Sequence, residues 1–107
     1  MYLVGGYKLT EEQVLDWCKP RGLEPGWPLV SYTVNRHLKK QNIPFRILTC
    51  GYEGDTVYLL VTNQKEDPTA TPKHYMLFEE NDGARKVKER MGIPDVEFIT
   101  VANPYDD

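Results

Sequence analysis

Hydrophobic positions fall at helical spacing in the first part of the chain and at a spacing of two in the middle, and that change of period divides it into elements. Leu9 and Val14 bracket the sequence Thr10-Glu11-Glu12-Gln13. This is the composition of a capping box, in which the threonine oxygen takes an early helix N–H and Gln13 reaches back to the threonine N–H. The flanking apolar pair suits a hydrophobic staple, and the glutamates suit the positive end of the helix dipole. The helix should stop near Cys18 or Lys19, because Pro20 restricts the residue before it and has no N–H. Gly5-Gly6 reads as a flexible turn ahead of the cap, and residues 6–10 as the approach to the helix. Arg21 to Pro28 reads as a connection. Pro28 then suits the first turn of a second helix running to about Asn42, before Pro44. Val30, Val34, Leu38 and Gln41 mark its inward face; Arg36, Lys39 and Lys40 fall opposite, with Tyr32 beside them.

From Phe45 the period becomes two. Phe45–Tyr52 and Thr56–Asn63 read as strands joined by the turn Glu53-Gly54-Asp55. Residues 64–72 are polar and form a mobile loop. Residues 74–79 read as a third strand, with a helix beginning there as the alternative. Asp82 caps a short helix with Ala84, Val87 and Met91 on one face, ended by Gly92 and Pro94. Val96–Ala102 is a last strand, and residues 103–107 an acidic tail. The expected fold is α+β, a mostly antiparallel sheet of about four strands with three helices in the order α-α-β-β-β-α-β, filling residues 1–107 as a single domain. If the last helix bridges adjacent parallel strands, that crossover should be right-handed.

Alternation in the strands is not clean. Val57, Leu59 and Val61 point one way, yet Tyr58 and Leu60 point the other, and the same holds for Phe45 and Ile47 against Leu48 and Cys50. A sheet with one wet face should alternate apolar with polar. Both faces are therefore expected to be covered, either by helices or by a partner, a homodimer being its simplest form.

Composition adds bounds. A chain of 107 residues is too short for two domains, and 40% apolar with 27% charged residues favours a folded chain over a disordered one. The longest apolar runs, such as Val57 to Val61, are far below the roughly 20 residues a membrane helix needs. The first ten residues lack the features of a secretory signal, and two cysteines are too few for a disulfide scaffold, so a cytoplasmic chain is expected, with a processed secreted form as the alternative. Net charge is −3 but unevenly placed. Arg36, Lys39, Lys40 and Arg46 occupy a stretch without acids, whereas residues 53–82 and the last thirteen are acidic. Such polarity steers partners more than it shapes a fold.

The candidate chemistry is sparse. Cys50 ends a strand beside a glycine, and His37 and His74 are the available bases; a thiolate nucleophile needs such a base or a cation beside it. Thr49-Cys50-Gly51 matches no nucleophile motif, and His37 shares a helical face with Val34, so structural roles are expected for both. Cys18, His37, Cys50 and His74 lack the close pairing of zinc ligands, so no metal site is expected. Gly5-Gly6 lacks the further glycines or lysine of a phosphate loop, and no cofactor is implied. Glu11-Glu12 and Glu79-Glu80 read as solvated. His74, Tyr58 and Tyr75 could line a pocket of a small enzyme, with or without a small-molecule ligand. Tyr32, Arg36, Lys39 and Lys40 could bind nucleic acid, though three charges in a negative chain favour it little. The expected function is therefore a small protein-interaction or ligand-binding domain, self-associating through an apolar sheet face that includes Tyr58 and Leu60. The small enzyme and the nucleic-acid binder are the alternatives.

Overall fold

The computed structural model describes residues 1–26, 28–71 and 73–102; the acidic tail expected at 103–107 lies outside them. The elements run β1 (Tyr2–Leu9), α1 (Glu11–Cys18), a 3-10 turn (Lys19–Arg21), α2 (Val30–Lys40), β2 (Ile47–Tyr52), β3 (Asp55–Glu66), α3 (Asp82–Met91) and β4 (Phe98–Ala102). Local chemistry accounts for most of their ends. The Gln13 N–H donates to Thr10 Oγ1 at 3.1 Å and the Thr10 N–H to Gln13 Oε1 at 2.9 Å, closing the capping box. Asn81, one residue ahead of the expected Asp82, caps α3 by accepting from the Ala84 N–H.

All three helical segments stop in the same way. Gly22, Asn42 and Gly92 adopt positive φ, and the apolar residue after each donates its N–H back across the last turn: Leu23 to Cys18, Ile43 to Leu38 and Ile93 to Lys88. This is the Schellman arrangement, in which a left-handed residue ends the helix and a hydrophobic residue follows it onto the core. Leu23, Ile43 and Ile93 all pack against the core under the helices. Gln41, expected to face inward, instead sits exposed at the cap of α2, because the helix ends one residue before it.

The α+β class, the three helices and the four-stranded sheet are as expected, but one strand is a different segment. Tyr2–Leu9 is a strand and sits inside the sheet, paired with β3 on one side and β4 on the other. The observed order is thus β-α-α-β-β-α-β. Gly5 and Gly6 carry no side chains to show the period of two, which hid the strand and suggested a turn. They are glycines because the sheet closes tightly there. A Cβ on Gly6 would stand 1.9 Å from the Leu60 carbonyl oxygen, and one on Gly5 would stand 2.7 Å from the Phe78 ring. Beside them β3 bulges: Gly5 pairs with Asn63 and Gly6 with Val61, leaving Thr62 as an extra residue.

Residues 74–79 form no strand beyond the isolated bridge between Thr71 and His74. They run as a strap whose Phe78 packs over Gly5 and donates its N–H to Thr100 Oγ1 at 2.8 Å, while Met76 and Leu77 face outward. The segment is apolar because of those contacts and not because it pairs. The polar stretch expected to be loop from residue 64 remains strand as far as Glu66.

The sheet order is β2-β3-β1-β4 with every neighbouring pair antiparallel. β3 and β4 are therefore parallel to each other with β1 between them, so α3 crosses over β1 and does not link adjacent strands. This is the connectivity of a split βαβ arrangement, with α1 and α2 together in the place of its first helix. The helices share one face. Tyr7, Leu9, Ile47, Tyr58 and Leu60 of the sheet form a single core with Val14, Val34, Leu38 and Met91. The opposite face carries Val4, Cys50, Val57, Leu59, Ile99 and Val101, with Tyr2, Leu48, Tyr52 and Val61 around them.

The sheet is thus apolar on both sides, as the alternation indicated. The centre of its second face is buried within one chain. Val4 and Leu59 are fully buried and the other four core residues of that face are no more than 8% exposed within one chain.

Candidate functional site

The solvent-facing side of α2 is the most distinctive surface. Val30, Val34 and Leu38 fix the helix on the core. A helix turns 100° per residue, so Tyr32, Arg36 and Lys39 emerge opposite that stripe, with Lys40 at its margin. Tyr32 is 61% exposed and Leu29, one turn before it, 56%; these are two of the four large apolar side chains exposed among the described residues. Arg36, Lys39 and Lys40 are exposed as well. Among the described residues none of the three meets a carboxylate, whereas Lys8 pairs with Glu97, Lys88 with Asp95 and Arg85 with Asp82. Lys39 and Lys40 suit the C-terminal end of the helix dipole. Mid-helix Arg36 and exposed Leu29 and Tyr32 have no such structural reason.

The helix presenting this strip is held by its flank. The Asn35 side chain brackets the edge strand, its Nδ2 donating to the Ile47 carbonyl at 2.9 Å and its Oδ1 accepting from the Ile47 N–H at 2.8 Å. Ser31 and Thr49 share a hydroxyl hydrogen bond one turn earlier. The Asn35 bonds occupy the outward backbone groups of Ile47 on β2, which a bare edge would leave open to another strand. They also fix the rotation of α2.

The catalytic candidates do not assemble. Cys50 lies buried on the face away from the helices, and burial alone raises its thiol pKa, the reverse of what a nucleophile needs. Cys18 is buried too; burial raises its pKa, opposed by Arg21. His37 packs edge-to-face on Trp17 with centroids 6.1 Å apart, a half-buried structural position. His74 stands exposed in the 71–74 turn, its backbone bonded to Thr71. Tyr58 and Leu60, expected to offer a binding surface, are 2% and 0% exposed beneath the helices and can touch no partner. They read as surface residues only because the second apolar face was assigned to the wrong strand positions. Tyr58 is therefore in the helix-side core, apart from exposed His74. Among the described residues no three His, Cys, Asp or Glu side chains could hold a metal ion.

Two arrangements carry no sequence signature. Fully buried Tyr7 donates its hydroxyl to Glu80 Oε2 at 2.6 Å; Arg85 lies 3.7 Å from the other Glu80 oxygen, and Lys88 sits over the Tyr7 ring. Burial first, and the Glu80 carboxylate second, push the Tyr7 phenol far above its ordinary range. The contact ties the strap to β1, 73 residues away in the chain. The second is a cleft of about 290 Å³ beside the β3 bulge, lined by Pro44, Phe45, Arg46, Val61, Thr62, Asn63, Gln64 and Val87. Arg46 donates to Gln64 Oε1 at 2.8 Å and the Tyr2 hydroxyl to the same oxygen at 2.7 Å. The bulge depends on which β1 residue faces which β3 residue, a pairing no local pattern encodes.

Comparison with protein-family models, with curated proteins and with solved structures gave no match. No helix among the described residues is long and apolar enough to cross a membrane.

Proposed function

We propose that this is a protein-interaction domain that uses the outer face of α2 to bind an acidic protein surface. The observation that carries the reading is Tyr32, 61% exposed, set among Leu29 and the exposed cations Arg36, Lys39 and Lys40, which meet no carboxylate among the described residues. An aromatic residue with an arginine is the composition of an interface anchor, and lysines around it suit a polar rim. The complementary chemistry is an apolar contact flanked by carboxylates. A second copy of the chain is the simplest source, since Glu53 and Asp55 at the β2–β3 hairpin are exposed. The homodimer expectation thus moves from the sheet face to a charged contact.

Light scattering at low and high ionic strength tests it, with a photo-crosslinker in place of Tyr32 to name the partner. A salt-sensitive dimer, or a crosslinked protein with an acidic surface, is expected in the wild type and not in Arg36→Glu/Lys40→Glu. Association or crosslinking that survives the double reversal rejects the reading. Nucleic acid is the second reading, favoured by the same tyrosine beside cations. Retention on a single-stranded oligonucleotide column, lost in the double variant, would select it instead.

A further inference from the structure

The outer face of α2 and the tip of the β2–β3 hairpin carry opposite charges, and the packing of α2 puts them at opposite ends of one surface. Ser31 meets Thr49 and Asn35 meets Ile47, so α2 runs antiparallel to β2 and its N-terminal end lies at the hairpin end of the strand. From the level of Ser31 and Thr49, the strip passes Tyr32 and Arg36 toward the helix C-terminus. It reaches Lys39 and Lys40 after roughly 13 Å, at a rise of ~1.5 Å per residue. In the other direction β2 reaches Glu53 after roughly 13 Å, at ~3.3 Å per residue. Bases and acids therefore stand about equally far from the level of Tyr32, on opposite sides of it.

Both ends face solvent. Glu53 and Asp55 are exposed, as are Lys39 and Lys40, and none of the four has an ion-pair partner among the described residues. Glu53 holds a φ of 51° at a turn position that suits asparagine or glycine. A side chain kept at such a conformational cost is a mark of residues that meet a ligand or partner. A surface with bases at one end, acids at the other and an exposed tyrosine between them is complementary to itself. A two-fold axis through its middle lays each charged end on the opposite charge, which is what a contact between identical copies requires. A uniformly acidic partner fits the same surface less well, because it would meet Glu53 and Asp55 with like charge.

We infer that two copies of the chain associate antiparallel about a two-fold axis near Tyr32, with Lys39 and Lys40 of each copy against Glu53 and Asp55 of the other and the two Tyr32 rings together at the axis. This rests on the reading of the α2 face as a protein contact, and it adds which partner binds and how it lies. A strip roughly 25 Å long and one helix, ~10 Å, wide buries less than the ~800 Å² per partner of a standard interface. The dimer is accordingly a weak one, held by exposed charges and dissociated by salt.

The test exchanges the charges. Lys39→Glu/Lys40→Glu makes both ends acidic, and Glu53→Lys/Asp55→Lys makes both basic. All four positions are exposed, and lysine meets the same backbone requirement at position 53 as glutamate does. In sedimentation at low salt, each variant alone should be monomeric where the wild type is a dimer. An equimolar mixture should associate within about threefold of the wild-type affinity, because both contacts return with their signs exchanged. Thermal melts establish that both variants are folded. A photo-crosslinker in place of Tyr32 reads the axis with the charged ends unaltered and should couple to residues 29–36 of the second copy. Variants that are each monomeric but do not associate on mixing overturn the arrangement, as does coupling elsewhere on the second copy. Dimers that survive in both variants overturn the arrangement and the α2 reading together. A wild type that is monomeric at low salt overturns the dimer, and the α2 reading with it unless the crosslinker captures another acidic protein.

Discussion

At the scale of single residues, the tightest constraint lies at Gly6. Its missing Cβ would overlap the Leu60 carbonyl oxygen, a backbone atom that cannot swing away, whereas at Gly5 the obstacle is the Phe78 side chain. Gly6→Ala should therefore lower unfolding free energy by about 3 kcal/mol or more, and Gly5→Ala by about 1–2 kcal/mol as the ring shifts. Urea denaturation of both variants measures the difference; equal losses would mean the strands separate easily at the bulge. The hairpin tip behaves oppositely. Glu53 and Gly54 both have positive φ, as a two-residue type I′ turn requires, and glutamate suits that region poorly. Glu53→Asn is expected to raise stability by about 0.5 kcal/mol in the same measurement.

Secondary-structure elements carry their own checks. Asn81 satisfies an N–H of the first turn of α3, so Asn81→Ala should cost about 1 kcal/mol. Asn35 does more, because it binds both backbone groups of Ile47 on the edge strand. Asn35→Ala should cost about 1–2 kcal/mol. It should also speed amide exchange at Ile47 by more than at Leu60, which is held within the sheet. Uniform acceleration across β2 and β3 would show instead that α2 adds only apolar packing. The repeated left-handed stop at Gly22, Asn42 and Gly92 explains how three helical segments end within so short a chain, each handing an apolar residue back to the core.

For the molecule as a whole, Tyr7 couples sheet, strap and α3. Its phenol is held protonated when folded by burial and by Glu80, but ionises at about pH 10 in the unfolded chain. Between those values the unfolded state has lost a proton that the native state keeps, so stability falls as pH rises above about 10. Thermal melts from neutral to alkaline pH should decline more steeply in the wild type than in Tyr7→Phe, which is less stable at neutrality but has nothing to ionise there. Parallel declines would remove Tyr7 as the cause. The buried thiols give a second global probe. Cys18 and Cys50 should react with a disulfide-exchange reagent only through opening, at a rate that rises with denaturant.

The sequence by itself determined what depends on a few neighbouring residues. Thr10 with Gln13, Gly92 before Pro94, the Glu53-Gly54 hairpin and the stripe Val30, Val34, Leu38 each announce a local geometry through hydrogen bonding, φ preference or period. The strip Tyr32, Arg36, Lys39, Lys40 was legible for the same reason, since a helix sends such spacing to one side. Only the tertiary structure decided the rest. Tyr2–Leu9 became an inner strand because β3 and β4 meet it from distant parts of the chain, and its glycines had erased the alternation. Tyr58 and Leu60 went under the helices because register sets which face each side chain takes. Residues 74–79 became a strap because Thr100 and Gly5 offered Phe78 contacts and Tyr7 holds Glu80 just beyond them. Strand pairing and face coverage are long-range events, and no local pattern carries them.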